Sequence, residues 1–282
     1  MEKIGILVCS NSGIDYEKTE YPYVVARSKL IIDGKEYEDY IDITADEFYQ
    51  ILVKNPNVPL STAQVSTGEL IDIYECFKKQ GYTDIIAISI SSKLSGIYQN
   101  MVLAAQMVEG INVHILDSKT VSYGQMYLVE LAASMIKKGK QSKEIMEKLI
   151  DIRDRIQIFV LVDTLKFLVK NGRLSVTSGA LGTLLKIKPL LNFDKEGRLV
   201  AYEKIRTSSK ARARFMELAK MKIDEGVEAM FLAYTNNKEF VEEIKKELLE
   251  YKPDLQIKVA PLTPVVGAHA GPGTCGFGFV RK

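Results

Sequence analysis

Two histidines, one of them bracketed by very small residues, three cysteines and two hydroxyl-rich segments are the parts of this chain that could do chemistry. The first segment, Ser61-Thr62-Ala63-Gln64-Val65-Ser66, lies just before a helical pattern. The second, Ser91-Ser92-Lys93-Leu94-Ser95-Gly96-Ile97-Tyr98, joins an apolar run ending at Ile90 to a helical pattern that runs to about Glu109. The third is Val265-Val266-Gly267-Ala268-His269-Ala270-Gly271-Pro272-Gly273, whose small residues leave His269 uncovered. Singly, each has an ordinary explanation: Ser and Thr ahead of helices are most often caps, and a lone histidine most often sits in a structural network. Together they offer hydroxyl donors at the carboxyl ends of strands, where open α/β sheets bind ligands, beside helix N-termini that favour negative charge. That combination predicts a site for an anionic head group.

Other chemistries fit less well. Cys275 stands six residues from His269 and invites a Cys-His nucleophile, but a cysteine opening a terminal strand usually behaves as a small buried hydrophobe. A serine hydrolase needs a carboxylate to orient His269, and Asp117 in Leu116-Asp117-Ser118 is the one suggestive residue; spacing leaves that open. Gly271-Pro272-Gly273-Thr274-Cys275-Gly276 matches G-x-G-x-x-G literally, yet the six residues that follow it read as a strand, Phe277 to Val280, where a dinucleotide site needs a helix. Neither Gly34-Lys35 nor Gly139-Lys140 completes a Walker A loop, and no G-x-S-x-G elbow is present. His114 and His269 stand beside no cysteine or carboxylate at ligand spacing, so no metal is expected.

Composition narrows the classes further. With 282 residues, 46% hydrophobic and 26% charged, the chain is an ordinary globular protein with room for a sizeable core. Its 38 basic and 36 acidic residues give a net charge of +2, which argues against nucleic acid as a partner. Cys9, Cys76 and Cys275 have no C-x-x-C spacing, so a reducing compartment is expected rather than a disulfide framework or zinc ribbon. The opening apolar run is shorter than a signal-peptide core, and no stretch approaches the ~18 apolar residues of a membrane span. A cytoplasmic location is expected, with no stable membrane insertion.

The elements that must position these residues alternate short β-branched runs with helical patterns, the signature of an α/β chain. Strands are predicted at Ile4 to Cys9, Val24 to Ile32, Asp84 to Ile90, Asn112 to Leu116, Gln157 to Val162, Ala229 to Tyr234 and Gln256 to Val259. Capping boxes stand at Thr44 with Glu47 and at Ser66 with Glu69. Gly81, Gly110, Gly139 and Gly226 fall where helices end in a left-handed residue. A hairpin is predicted around Asp194-Lys195-Glu196-Gly197-Arg198, bringing antiparallel pairing to the second half. No linker separates the halves, so a single unit with lobes of approximately residues 1–160 and 161–282 is expected. Basic residues cluster around Lys137 to Lys143 and from Lys204 to Arg214; most such runs are solvated faces, and the alternative is docking of an acidic partner or a phosphate.

Five segments, in order along the chain, carry a resemblance to the DegV family. They are Ser91 to Tyr98; Ile115-Leu116-Asp117-Ser118; Lys170-Asn171-Gly172-Arg173-Leu174-Ser175; Leu184-Leu185-Lys186-Ile187-Lys188-Pro189; and Ala268-His269-Ala270-Gly271-Pro272-Gly273. The resemblance implies a two-lobed α/β fold, with a mainly parallel sheet in the N-terminal lobe and a mixed sheet in the C-terminal lobe, over residues 3–281. It further implies a buried long-chain fatty acid as ligand, no cofactor, and no catalysis by the chain itself. A partner fatty acid kinase would supply the nucleotide chemistry that forms an acyl phosphate, and membrane contact would be at most transient. By position, the family's carboxyl-binding threonine, serine and histidine correspond to Thr62, Ser95 and His269, with Ser92, Arg173 and Arg206 as secondary head-group or partner contacts. The chain departs from the family at Cys9-Ser10-Asn11-Ser12, where the family has Thr-Asp-Ser-Thr, and at Ala63 and Val65, where it has serine and proline. The competing reading of the same residues is a serine- or histidine-dependent hydrolase or phosphotransferase acting on a small acyl substrate. A regulatory module whose lipid is a signal, docking through Lys204 to Arg214, is a third.

Overall fold

Parallel pairing begins at the first strand, because Ile4 to Cys9 is apolar at every position except Gly5 and is buried on both faces, as a central strand of a covered sheet must be. The structure, a computed structural model, describes residues 2–17, 21–175 and 187–282. In chain order the first half contains β1 (Ile4–Cys9), β2 (Val24–Ala26), β3 (Lys29–Ile32), β4 (Lys35–Glu38), α1 (Ala45–Lys54), β5 (Leu60–Ala63), α2 (Thr67–Lys79), β6 (Asp84–Ser89), α3 (Ile97–Ala105), β7 (Asn112–Asp117), α4 (Tyr123–Lys137) and α5 (Ser142–Arg153). The second half contains β8 (Ile156–Leu161), α6 (Lys166–Lys170), β9 (Leu190–Phe193), β10 (Leu199–Glu203), α7 (Ser208–Gly226), β11 (Val227–Tyr234), α8 (Lys238–Tyr251), β12 (Ile257–Pro261), α9 (Pro264–Ala270) and β13 (Cys275–Arg281).

Three sheets result. The first has order β2-β1-β6-β7 with every pair parallel. The second has order β10-β9-β8-β13-β11-β12; it is antiparallel except for β11 with β12. These are the mainly parallel and mixed α/β sheets implied by the resemblance. A small antiparallel sheet, β4-β3-β5, stands beside them. Helix α4 is wedged between the two large sheets: Tyr123, Met126, Val129 and Ala132 share one core with Ile6 and Ile88 of the first and Ile158, Phe231 and Val280 of the second. The other face of the first sheet packs on α2 and α3, and the second sheet packs on α7 and α8.

Both predicted capping boxes form: Glu47 Oε2 accepts from Thr44 N and Glu69 Oε2 accepts from Ser66 N, each at 2.8 Å. Gly81, Gly110, Gly139 and Gly226 all take positive φ. The hairpin closes with Asp194 N donating to Arg198 O at 3.0 Å, and its Gly197 carbonyl accepts from Ser91 Oγ at 2.7 Å. That bond ties the second sheet to the carboxyl end of β6.

Some expectations are corrected. The predicted strand Val24 to Ile32 is two strands in two sheets. At the break, Arg27 turns to form a two-pronged ion pair with Asp15 (2.7 and 3.0 Å), and Ser28 N donates to Ser10 Oγ at 3.2 Å. Leu60–Ala63, not among the predicted strands, is one, since β3 offers it a partner edge, and the segment runs on to α2 as expected. Helix α3 stops at Ala105, short of Glu109. His114 does have a carboxylate neighbour: Nε2 lies 2.8 Å from Asp84 Oδ1, brought there by parallel pairing of β6 and β7. Among the described residues no group of three or more His, Cys, Asp or Glu could hold a metal, and no helix is long and apolar enough to cross a membrane. Leu184, Leu185 and Lys186 of one family motif lie outside the described residues.

Candidate functional site

A cavity of about 490 Å³ opens over the carboxyl ends of the first sheet and is closed on the far side by the second sheet and α9. Its size falls within the roughly 300–1,000 Å³ of small-molecule sites. Most of the wall is apolar, with Leu94 and Val121 from the first half facing Ile158, Val160, Phe193 and Phe231 from the second. Thr62, Gln64, Ser95, Arg173 and His269 are gathered in the same wall. At the protein surface beside them, Ser61, Gln64 and Gly96 are exposed.

Each of these side chains is placed by a different element. Thr62 is on β5, opposite Leu30 of β3, so the small sheet carries it to the cavity. His269 is in the last turn of α9, which Pro264 opens at its first position. The helix is seated by Gly267, where a Cβ would come within 2.2 Å of the Tyr49 hydroxyl; that hydroxyl donates to Leu262 O at 2.8 Å. Only glycine allows α9 to lie this close to α1. Ser95 precedes α3, its hydroxyl accepting from Ile97 N at 3.3 Å and donating to Gln64 Oε1 at 3.2 Å. Arg173 follows α6 and donates from Nε to Leu94 O at 3.3 Å. Among the described residues no carboxylate forms an ion pair with Arg173.

Thr62 Oγ1 and His269 Nε2 are 2.8 Å apart, although 207 residues separate them in sequence. The other ring nitrogen, Nδ1, is buried and has no partner among the described residues. Withdrawal from water pushes the imidazole pKa down to about 4, and the charge of Arg173 opposes protonation further. The ring is therefore neutral at pH 7 and carries one N–H. A proton on Nδ1 would be a buried donor without an acceptor, so the surroundings favour the Nε2–H tautomer. In that tautomer His269 donates to Thr62 Oγ1 and leaves the threonine O–H free to point into the cavity.

Of the six sequence-predicted residues, Thr62, Ser95, His269 and Arg173 share the cavity wall, whereas Ser92 and Arg206 stand outside it. Ser92 N donates to Asp117 Oδ1 at 3.1 Å, and Arg206 is exposed. Asp117 also accepts from Lys119 N at 3.0 Å, and its side chain makes no hydrogen bond to His269. Among the described residues no carboxylate bonds to His269, so the hydrolase arrangement has no orienting partner there. Cys275 lines the cavity too, but burial pushes its thiol up to about 12, which leaves no thiolate nucleophile at neutral pH.

Sequence reasoning missed Gln64, Ser28 and Ser122 as wall residues and noted Asn11 only as a departure from the family pattern. Ser28 was hidden in a run that reads as one continuous strand. Near Ser10 and the N-terminus of α9, Asp39 is wholly buried, and among the described residues neither carboxylate oxygen has a hydrogen-bond partner. Burial pushes this carboxyl up to about 7, against the opposing influence of Ser10, the Val265 amide and Arg27.

Residues 3–282 match a family model described as "Uncharacterised protein, DegV family". A DegV domain-containing protein of Staphylococcus aureus is 36% identical over 285 residues, covering 99% of this chain and 98% of its own. Another from the same species is 35% identical over 284 residues, covering both chains fully. A crystal structure of a fatty acid binding DegV family protein from Streptococcus agalactiae superposes with a TM-score of 0.90 at 28% identity, covering 100% of each chain. DegV of Bacillus subtilis, described as a fatty acid binding protein, superposes at 0.89 with 28% identity and the same coverage. Matched from end to end in sequence and fold, the chain belongs to the DegV family.

Proposed function

We propose that the protein binds a long-chain, palmitate-like fatty acid in this cavity, with the carboxyl group held by Thr62, Ser95 and His269, and presents that group to a partner fatty acid kinase. The observation that carries the reading is the Thr62–His269 pair, 2.8 Å apart, in the wall of a largely apolar cavity in a chain whose whole-length structural relatives are described as fatty acid binding. Affinity comes from the tail: ~14 buried methylenes at ~0.8 kcal/mol each give on the order of 11 kcal/mol before ordering costs. Position comes from the head. An unpaired buried carboxylate is costly, and two or three donors offset that cost. Thr62 and Ser95 supply hydroxyls, His269 sets the direction of the Thr62 hydroxyl, and Arg173 supplies positive charge nearby.

The carboxyl end lies near the exposed edge formed by Ser61, Gln64 and Gly96, where a kinase could reach it. The chain's own role is to hold the tail away from water and the carboxyl oxygen in reach, so that the partner forms the acyl phosphate. Arg206, Lys204 and Lys210 are exposed cations available for that docking, whereas Arg214 is engaged with Glu203 and Glu217.

Native mass spectrometry of the purified protein, followed by denaturation and analysis of released small molecules, tests the reading. One fatty acid per chain, lost in a Thr62, Ser95 and His269 triple substitution, is the expected result. A folded protein that arrives empty and takes up no added fatty acid would overturn it.

A further inference from the structure

The cavity wall contains a second polar group of residues that a plain alkyl chain leaves without partners. Asn11, Ser28 and Ser122 are only 9%, 6% and 5% exposed, and all three line the cavity. Among the described residues none of their side-chain polar atoms has a hydrogen-bond partner. Two polar side chains nearby are satisfied, while those of Asp39, Thr120 and Tyr123 also lack partners among the described residues. Thr274, in the same wall, donates to Ala270 O at 2.9 Å, and Ser12 Oγ accepts from Ile14 N at 3.2 Å. The three unpartnered residues form one patch: Ser122 N donates to Asn11 O at 3.1 Å, and Ser28 N donates to the hydroxyl of Ser10, the residue preceding Asn11.

Ser122 also gives up the ordinary task of its position. It is the N-cap residue of α4, yet its side chain makes no cap hydrogen bond, and its backbone stands at φ 55°, which residues other than glycine seldom hold. Ser122 is instead one of the residues that line the cavity. The patch is close to the head-group residues. Ser28 is one place beyond the last paired position, Lys29 opposite Ala63, and two residues before Leu30, which opposes Thr62.

Resting on the fatty acid reading above, we propose that the preferred ligand is a fatty acid bearing a hydroxyl group on one of the carbons next to the carboxyl, with that hydroxyl bonded by Asn11, Ser28 and Ser122. A hydroxyl both donates and accepts, as do the asparagine amide and the two serines, so the group satisfies the patch in either direction. An unsubstituted chain strips water from the same atoms and returns nothing, and a site built to bond a hydroxyl discriminates against the analogue that lacks it.

The experiment is competitive displacement of a fluorescent fatty acid from the full chain by palmitate, 2-hydroxypalmitate, 3-hydroxypalmitate and 16-hydroxypalmitate. The expected result is a 2- or 3-hydroxy acid binding at least about tenfold tighter than palmitate, with no gain for the 16-hydroxy acid. Ser122→Gly, which suits the backbone and removes the hydroxyl, and Asn11→Leu should each bring that ratio toward one. Ser28→Ala serves if Asn11→Leu does not fold. Palmitate binding as tightly as both hydroxy acids would overturn the inference while leaving the fatty acid reading intact; so would a preference that survives all three substitutions. Failure of every acid to bind folded protein would overturn the fatty acid reading and this inference with it.

Discussion

Removing His269 should weaken fatty acid binding through Thr62 and not through lost bulk. The neutral ring donates from Nε2 to Thr62 Oγ1 across 2.8 Å, so the threonine proton is left to meet a ligand carboxylate. Without the imidazole the hydroxyl is free to rotate. A hydrogen bond to a charged group contributes ~1.5–3 kcal/mol, and about 1.4 kcal/mol is a factor of ten in Kd. His269→Ala is therefore expected to raise the Kd for palmitate between about tenfold and about a hundredfold at pH 7. The tail contribution is untouched, so binding should remain measurable. Thr62→Val should cost a similar factor. Because the two residues act on one bond, the double variant should bind about as well as the weaker single variant, not worse by the product of both factors. Calorimetric titration of the four proteins, each checked for an unchanged melting profile, gives the cycle. Unchanged affinity in His269→Ala would refute the role of the ring. Losses that multiply in the double variant would refute its action through Thr62.

Asp39 makes a prediction about stability against pH. Its folded-state pKa, about 7, stands above the ordinary value of 3.8, so the native state keeps a proton that the unfolded chain has released. Its contribution to stability is present below pH 3.8 and lost as pH rises to 7. The stability of Asp39→Asn relative to the native sequence should climb across that window and then level off, by at most about 4 kcal/mol. Denaturant titrations at several pH values check the slope, which a packing penalty does not alter; parallel profiles would refute it. The cysteines make a simpler one. Cys9 and Cys275 are buried with thiols pushed up to about 12, whereas Cys76 is exposed. Iodoacetamide should label the native protein once, at Cys76, and modification of Cys275 without unfolding would contradict the inert reading of that residue.

Local structure was legible in the chain because it is set within a few residues. The capping boxes at Thr44 and Ser66 need only a hydroxyl and a glutamate three places on, and the turn before Arg198 needs only Asp194 and a glycine with φ of 80°. The alternation of apolar runs with helical periods likewise determined an α/β chain, and the motif around Ser95 and the terminal Ala268 to Gly273 segment identified the family. What the sequence could not show is which distant residues share a wall. Thr62 reaches His269 because the chain leaves the first sheet at Arg27 and Ser28, giving β5 an edge to pair with, and because Gly267 lets α9 rest on Tyr49. Those contacts join segments some two hundred positions apart. The same holds for Asp117, suggestive by type but bonded to the amides of Ser92 and Lys119, and for Asn11, Ser28 and Ser122, brought together beyond the carboxyl ends of a parallel sheet. Periodicity and caps follow from backbone geometry that every residue carries with it. A cavity is the space that packed elements leave between them, and the residues facing that space have no signature until the elements are in place.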